Sequence, residues 1–375
     1  MTTPEHPALA PITIGGLALA NRLAVAPMTR VSASRAGVPT ARMADYYERF
    51  AIGGFGLVLT EGTYTDARYS QGYTNQPGLV TSDHVAGWRP VTARVHEAGS
   101  RIVAQLMHAG ALSQGNEHSA ETAGPSAIPP LGEKMPEYGG SGPWAPPRAM
   151  TEVDLGVVVD GFVAATRNAR AAGFDGIEIH AANGYLLDQF LTPYTNRRTD
   201  SYGGSVANRV RLTAEVVAAI VAAVPASFLV GVRLSQTKVN DFGYRWPGGA
   251  QDAEIIFGAL AATGADYLHV ASEGRDWIET ARFGSGETIT AVARKVSGLP
   301  VIANGGMHDV GQAAAVLVEE HADLVSVARG ALANPDLPHR LSTGHRLDPF
   351  DRAMLEPMAT LENAEHWRAS TVEAV

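Results

Sequence analysis

The chain has 375 residues, of which 45% are hydrophobic and 18% are charged, and its formal net charge is −9. An acidic chain without a block of Lys and Arg is not expected to bind nucleic acid or an anionic membrane. The absence of cysteine excludes disulfide bonds, a thiolate nucleophile and iron–sulfur clusters ligated by cysteine.

The first predicted element is a β-hairpin within residues 1–20. The residues at positions 12–19 are ITIGGLAL, which alternate around Gly15 and Gly16. This composition is typical of two short strands joined by a tight turn. We expect the hairpin to plug the bottom of the barrel that the following elements predict.

Eight short apolar runs follow the hairpin and are separated by segments with helical periodicity. The runs cover residues 23–28, 57–62, 102–107, 176–180, 228–234, 267–271, 301–306 and 324–330. Nearly continuous Val, Ile and Leu between helices is typical of a parallel sheet whose outside is covered by helices. The sequence therefore predicts an α/β fold, a (β/α)8 TIM barrel, with residues 1–375 in a single domain.

Two of the intervening helices have recognisable ends. Thr151 is expected to cap the helix before the fourth strand, with Asp154 at position N3 and Gly173 as its left-handed stop. Asp309 is expected to cap a helix from Val310 to Val318.

The repeat is interrupted by an insertion at residues 113–150, which contains seven prolines. Such a segment cannot form a central strand or a helix, and it follows the third strand. We interpret it as a lid over the C-terminal face of the barrel, although a surface loop without a role is the alternative. Residues 345–375 form a C-terminal tail to which the sequence assigns no role.

Active sites of TIM barrels lie where the strands end at the C-terminal face. The polar and small residues at these ends are Thr29, Glu61, Gly62, Gln105, His108, His180, Asn183, Tyr185, Arg233, His269, Gly305, Gly306, Ala328, Arg329 and Gly330. The seventh and eighth loops combine glycines with one arginine, which is the composition of a phosphate site. Tight turns between strands and helices would also explain the glycines.

The same set lacks the motifs of hydrolytic and metal-dependent enzymes, so we expect no metal ion. Asp175 and Glu178 precede the site and are not expected to pair within it. Thr29, Gln105 and Arg233 carry hydrogen-bonding groups that suit the edge of a polar heterocycle. Together with a phosphate site, they favour a flavin mononucleotide, because the cofactor would then carry the reaction.

The alternative is a barrel isomerase or aldolase that acts on a phosphorylated small molecule. Such an enzyme commonly needs a lysine at a strand end. Lys238 is expected in a loop and Lys295 in a helix, so the sequence offers no such lysine.

Seven segments spread over roughly residues 10–340 read, in chain order, NRLAVAPMTR, LTEGT, AQLMHAG, GFDGIEIHAANGYLLDQFLTPYTNRRTDSYGGS, VRLS, ANGG and VARG. In these motifs and their order the chain resembles the Old Yellow Enzyme family of flavin-dependent ene-reductases. The resemblance implies an FMN-dependent oxidoreductase that uses NADH or NADPH to reduce the C=C bond of unsaturated aldehydes and ketones, maleimides and nitroalkenes.

The resemblance also implies which residues hold FMN. Thr29 would bind the flavin carbonyl nearest the reactive nitrogen, Gln105 the pyrimidine edge and Arg233 the electron-rich end of the ring. The ring would be lined by Pro27, Met28 and Gly62, and the phosphate would be held by Asn304, Gly305, Gly306, Ala328 and Arg329.

At the substrate end, the resemblance implies that His180 and Asn183 both donate to one oxygen of the alkene's activating group. Tyr185 would then deliver a proton to the α-carbon. The nicotinamide would use the same pocket. Each residue also has a purely structural interpretation: His180 as a loop contact, Tyr185 as a buried aromatic and Arg233 as an internal ion pair.

Other residues near the strand ends are expected in supporting positions. His108 and His269 are interpreted as structural, and Glu61 as a group that orients a neighbour. Trp277 and Phe283, in the sixth loop, either border the substrate or pack the lid. The N-terminus has no secretory signal and no stretch is long enough to span a membrane, so we expect a cytoplasmic protein, either a monomer or a homo-oligomer.

Overall fold

A computed structural model describes residues 6–272 and 281–372 of the chain. Eight parallel strands form its centre, and we number them in chain order: β1 Leu23–Val25, β2 Leu57–Leu59, β3 Arg101–Met107, β4 Gly176–Asn183, β5 Leu229–Lys238, β6 Tyr267–Ala271, β7 Val301–Asn304 and β8 Leu324–Val327. Each strand pairs with the next, and β8 pairs with β1, which closes the sheet. The predicted (β/α)8 barrel is confirmed.

The barrel is surrounded by helices, whose apolar faces pack on the outside of the strands. They are α1 Ala41–Ile52, α2 Ser82–Glu97, α3 Glu152–Ala171, α4 Leu186–Leu191, α5 Val206–Ala223, α6 Ala250–Ala261, α7 Ile289–Ser297, α8 Val310–Val318, α9 Arg329–Ala333, α10 Leu337–Thr343 and α11 Leu361–Val372. Short 3-10 turns span Pro7–Leu9, Gly110–Leu112, Pro136–Tyr138 and Arg352–Leu355. Among the described residues, no helix is long and apolar enough to cross a membrane.

Both predicted helix caps are present. The Thr151 side chain accepts the N–H of Asp154, whose carboxylate in turn accepts the N–H of Thr151, so α3 begins with a complete capping box. Gly173, just after α3, has a φ of 92°. Asp309 caps α8 through the N–H of Gln312, and α8 spans the predicted residues.

The N-terminal hairpin lies at the bottom of the barrel, as expected. Its strands, Ile12–Ile14 and Leu17–Leu19, pair antiparallel. Ile14 and Leu19 are buried in one cluster with Leu229 and Tyr267 of the barrel strands. The hairpin thus fills the end of the barrel opposite the active site predicted at the C-terminal face.

The fifth strand ends later than its apolar run predicts, and this corrects the assignment of Lys238. β5 continues to Lys238, which is its last residue and not part of a loop. The side chain is buried and its Nζ lies 2.5 Å from Oδ1 of Asp188. An apolar pattern ends at the first polar residue, whereas a strand continues when its polar residues find partners inside. Lys295 lies in α7, as predicted.

The insertion and the tail both lie near the mouth of the barrel. Within residues 113–150, Ala123–Gly124 pairs with Arg148–Ala149, and the turn at Pro136–Tyr138 faces the barrel. The tail is held by Arg30, whose Nε and Nη2 each donate to a tail carbonyl, of Ala359 and Thr360, at 3.0 Å.

Candidate active site

A cavity of about 620 Å³ opens at the C-terminal ends of the barrel strands. Its volume is in the range of small-molecule and cofactor sites. All the site residues predicted from the sequence line it: Pro27, Met28, Thr29, Gly62, Gln105, His180, Asn183, Tyr185, Arg233, Asn304, Gly305, Gly306, Ala328 and Arg329. Residues from strand ends around the whole barrel therefore meet in one space.

The floor of the cavity is a buried polar network that connects Gln105 to Arg233. The Nε2 of Gln105 donates to Oε1 of Glu178 at 2.8 Å, and Oε2 of Glu178 lies 2.8 Å from Nδ1 of His269. Nη1 of Arg233 lies 2.7 Å from Nε2 of His269, and Nη2 of Arg233 donates to Oδ1 of Asn304 at 3.0 Å. Two predicted cofactor-binding side chains are thus held by the same carboxylate and histidine.

This network corrects the expectation that Glu178 stays apart from the site, since it bonds Gln105 directly. Glu178 lies on β4, and its side chain points into the barrel, where Gln105 and His269 of other strands reach it. Apolar residues on both sides, Ile177 and Ile179, conceal this role in the sequence. Asp175 precedes the strand and bonds His96 and the N–H of Ile102 outside the site.

The electrostatics of the floor favour one charge distribution. Burial raises the pKa of Glu178, but His269 and the positive charge of Arg233 outweigh burial and hold that pKa at about 2. Burial and Arg233 lower the pKa of His269 to about 4. At neutral pH, Glu178 is therefore ionised and His269 is neutral, with the proton on Nδ1 facing Glu178 and Nε2 free to accept from Arg233. Arg233 keeps its positive charge at the floor.

His180 lies within β4, which continues three residues beyond it and so ends later than its apolar run predicts, and it presents one N–H to the cavity. Burial and the charge of Arg233 lower its pKa to about 3, so the ring is neutral at neutral pH. Its Nδ1 accepts the N–H of Ala182 at 3.3 Å. The proton is therefore assigned to Nε2, which can donate to a ligand.

Asn183 and Tyr185 lie beside this histidine. Asn183 has a φ of 63°, and among the residues that the structure describes its buried Oδ1 has no hydrogen-bond partner. The ring of Tyr185 lies edge-on to that of His180, with ring centroids 4.9 Å apart. A buried amide oxygen without a partner is an acceptor that a ligand N–H or O–H can satisfy, while the side-chain nitrogen of Asn183 can donate.

Tyr73 contacts Tyr185 from outside the cavity lining, and the sequence does not predict it. Its hydroxyl is hydrogen-bonded to that of Tyr185, and its ring lies 4.9 Å from that of Tyr138. Burial, followed by the proximity of Tyr185, raises the pKa of Tyr73 well above its ordinary value. Tyr73 lies in the loop after β2 and belongs to no periodic pattern, so the sequence carries no signal for it.

Several other lining residues come from segments whose role the sequence left open. The insertion contributes Met135, Glu137 and Tyr138, the tail Leu355 and Ala359, and the loops Val239, Phe242, Ser272, Met307 and His308. Phe283 is buried in the main hydrophobic core and not in the cavity wall, while Trp277 lies outside the described residues.

The other supporting residues lie outside the cavity lining. Glu61 accepts the N–H groups of Arg30 and Val31, so it orients the backbone just after Thr29. His108 is buried with its Nε2 3.6 Å from Oδ2 of Asp66.

The donor set fits flavin mononucleotide. Gln105 and Arg233 present an amide and a fixed cation at the floor, which suit the polar edge and the electron-rich end of a flavin ring. After β7, Gly305 and Gly306 have φ values of 126° and 70°, and Arg329 lines the same cavity. Glycines in such conformations let backbone N–H groups turn toward an anion, and an arginine adds the matching charge.

Residues 8–348 match the model of the NADH:flavin oxidoreductase / NADH oxidase family. The chain belongs to this family. It is 35% identical over 352 residues to a probable flavin mononucleotide-dependent alkene reductase of Leishmania infantum, covering 92% of this chain and 93% of the relative.

Two solved structures share the fold. The old yellow enzyme homologue of Zymomonas mobilis has a TM-score of 0.85 and 31% identity, covering 96% of this chain and 99% of the other. Morphinone reductase in complex with tetrahydroNAD has a TM-score of 0.82 and 33% identity, covering 94% of each chain. The resemblance to the Old Yellow Enzyme family is confirmed, and the protein is an FMN-dependent NAD(P)H oxidoreductase of the ene-reductase class.

Proposed function

We propose that the protein reduces the C=C bond of activated alkenes with His180, Asn183 and Tyr185 as its substrate-facing residues. FMN, held by residues such as Gln105 and Arg233, would supply the hydride chemistry between NADH or NADPH and the β-carbon of the alkene. The residues of the chain then have three tasks, which are to hold the activating oxygen, to supply a proton and to stabilise negative charge on the cofactor.

His180 and Asn183 hold the oxygen of the carbonyl or nitro group. The neutral ring of His180 donates through Nε2, and the side-chain amide of Asn183 offers an N–H at the same wall. Two donors at one oxygen stabilise the negative charge that develops there as hydride reaches the β-carbon. A neutral histidine donates without itself requiring a counter-charge, which suits the buried surroundings of His180.

Tyr185 supplies the proton that the α-carbon requires after hydride transfer. Tyr185 borders the cavity, and its hydroxyl is hydrogen-bonded to the hydroxyl of Tyr73. This bond can polarise the O–H group of Tyr185. General acids of this kind contribute about 10²- to 10⁴-fold to a rate. Arg233, held by Asn304 and His269, places a fixed cation at the cavity floor, where the reduced cofactor carries negative charge.

One observation carries the proposal: His180, Asn183 and Tyr185 line the same cavity as the Gln105–Glu178–His269–Arg233 floor and the glycine loops at Gly305 and Ala328. A phosphorylated substrate for an isomerase or aldolase is not favoured. The strand-end lysine, Lys238, is buried in an ion pair with Asp188 and does not face the cavity.

The test is a stopped-flow separation of the two half-reactions in the purified, FMN-loaded protein. Replacing His180 and Asn183 together by alanine is expected to slow reoxidation by an enone at least about 100-fold. Tyr185→Phe is expected to slow the enone more than an electron-poor nitroalkene, because a nitronate needs less help from an acid. A protein that binds no flavin after addition of FMN would refute the cofactor assignment, and unchanged enone reduction in the double variant would refute the oxygen site.

A further inference from the structure

The turn that carries Asn183 and Tyr185 has an unfavourable backbone conformation. Asn183 has a φ of 63° and Gly184 a φ of 89°. Left-handed conformations are uncommon for residues other than glycine, and they persist where the surroundings hold them. A side chain at Gly184 would also meet Oδ1 of Asn240 at 2.7 Å. The positions of two proposed substrate-facing residues therefore depend on what holds this turn.

Hydrogen bonds from several neighbours hold the backbone of the turn, and Nε2 of Gln189 donates one of them to the carbonyl of Gly184 at 2.8 Å. Oδ2 of Asp188 accepts the N–H of Gly184 at 2.7 Å. The hydroxyl of Ser235 accepts the N–H of Asn183 at 2.8 Å, and the carbonyl of Asn183 accepts the N–H of Val239 at 3.1 Å. Of these partners, Asp188 is the charged one, and it bonds the residue between Asn183 and Tyr185.

Asp188 is itself fixed by Lys238. The Asp188 side chain is fully buried, and Lys238 places Nζ 2.5 Å from its Oδ1. The ammonium of Lys238 also lies 4.4 Å from the ring centroid of Tyr244, which adds a cation–π contact. Each carboxylate oxygen thus has its own task, since one binds the lysine and the other binds the turn.

A buried ion pair of this kind commonly adds little to the free energy of unfolding. Desolvation of both charges commonly costs as much as their attraction returns, and apolar replacements of such pairs are often neutral or stabilising. A buried pair with one oxygen on a functional turn is better explained by orientation. Asp188 and Lys238 lie outside the cavity lining, so they act on the substrate only through the turn.

We infer that the Asp188–Lys238 pair positions Asn183 and Tyr185 for alkene reduction by fixing the N–H of Gly184. The inference rests on the proposed roles of Asn183 and Tyr185. Asp188 and Lys238 are positioning residues, because neither touches the substrate.

Two uncharged double variants test this inference. Asp188→Leu with Lys238→Met removes both charges and the acceptor for Gly184. Asp188→Asn with Lys238→Met removes the same charges but retains an amide oxygen that can accept the N–H of Gly184. The variants differ at one side chain of similar size, so a difference between them reports the bond to the turn and not the ion pair's contribution to folding.

We expect the leucine double variant, loaded with FMN, to reduce an enone about 10- to 100-fold more slowly, as displacements near 1 Å do in other active sites. Its solvent isotope effect on enone reduction should increase, because proton transfer from a displaced Tyr185 becomes slower. The asparagine double variant should recover most of the lost rate. Equal enone rates in the folded leucine and asparagine variants would overturn the inference.

If the leucine double variant does not fold, Asp188→Ala with Lys238→Met provides the second measurement. It removes the same acceptor for the N–H of Gly184 and introduces no larger side chain at position 188. We expect enone reduction to slow several-fold with a raised solvent isotope effect, and an unchanged rate and isotope effect would overturn the inference. Failure of the proposed function is distinguishable, because the wild-type protein would then show no enone reduction.

Discussion

The hydroxyls of Tyr73 and Tyr185 are hydrogen-bonded to each other at the wall of the cavity, although the residues lie 112 positions apart. Tyr73 is fully buried, and Tyr185 is 5% exposed toward the cavity. A phenol that donates a proton leaves a phenolate, which is stabilised when a second hydroxyl donates to it. Tyr73 is therefore placed to stabilise the phenolate that the proposed role of Tyr185 would leave.

Tyr73→Phe removes this stabilisation. We expect reoxidation by an enone to slow about tenfold, which corresponds to one hydrogen bond to a developing charge, or roughly 1.4 kcal/mol. Reduction of FMN by the nicotinamide should be unchanged, because no proton from Tyr185 is needed there. Stopped-flow measurement of both half-reactions checks this.

A control for this variant is Tyr69→Phe, which removes a hydroxyl that bonds Glu121 away from the cavity. Its half-reactions should match those of the wild type. Equal slowing of both half-reactions in Tyr73→Phe would show that Tyr73 supports the cavity as a whole and not proton transfer.

Glu178→Gln is expected to be strongly destabilising. It leaves the buried guanidinium of Arg233 without its nearby carboxylate, and loss of one partner from a buried charged network costs about 3–5 kcal/mol. The free energy of unfolding in urea measures this. Glu117→Gln weakens an exposed contact with Arg35, whose side chain is 83% exposed, and should change the free energy of unfolding far less. Comparable losses in the two variants would contradict the role assigned to Glu178.

The Glu178 carboxylate also predicts acid sensitivity. Its pKa is lowered from 4.5 to about 2 in the folded protein, so its stabilisation is fully present above pH 4.5 and is lost as the pH falls toward 2. The wild type should therefore lose stability over this range more steeply than Glu178→Gln. Parallel pH curves for the two proteins would show that this carboxylate is not stabilised by folding.

Glu61 predicts a pH effect of opposite sign. Burial raises its pKa from 4.5 to about 7, despite the N–H groups and the charge of Arg30 that lower it. Between these values the folded chain holds a proton that the unfolded chain has released, so stability decreases as the pH rises. Glu61→Gln keeps an oxygen for Arg30 and Val31 but does not titrate.

The unfolding free energy of Glu61→Gln should therefore fall less than that of the wild type between pH 5 and pH 8. Denaturant titrations at pH 5, 6.5 and 8 give the comparison. Every other titrating group is common to the two proteins, so the difference between the curves isolates Glu61. A constant difference at the three pH values would refute the raised pKa.

The barrel could be predicted because its strands are buried on both faces and therefore appear as apolar runs. Tyr267–Ala271 and Val310–Val318 match the predicted bounds, since an apolar run or an aspartate cap marks their ends. The same logic fails for Lys238, which is polar yet buried because Asp188 pairs with it. Partners distant in sequence are not visible in a local pattern.

Site residues divide in the same way. The position of His180, Asn183 and Tyr185 at the cavity could be predicted because they lie at the end of one strand and just after it, in a specific motif. The role of Glu178 could not, because its partners, Gln105 and His269, come from other strands. Contacts made across the barrel become apparent only when the fold brings the strands together.

Two neighbouring glycines of the hairpin predict changes in stability that leave the catalytic half-reactions unchanged. Gly15 has a φ of 50°, and an added Cβ would lie 2.5 Å from Cδ1 of Leu229 and 2.7 Å from Cγ of Asp266. Gly16 has a φ of 81°, and an added Cβ would have no neighbour within 4 Å. Alanine at either position strains the backbone, but at Gly15 it also overpacks the bottom of the barrel.

Gly16→Ala should therefore cost about 1 kcal/mol of unfolding free energy, the usual cost of a left-handed alanine. Gly15→Ala should cost about 1–3 kcal/mol more, the usual range for overpacking. Urea unfolding measures both, and stopped-flow kinetics should show unchanged half-reactions, because the hairpin lies at the end opposite the cavity. Equal losses of unfolding free energy in the two variants would mean that the hairpin yields and does not pack rigidly against β5. Slower half-reactions in Gly15→Ala would mean that strain at the bottom of the barrel reaches Arg233 through β5.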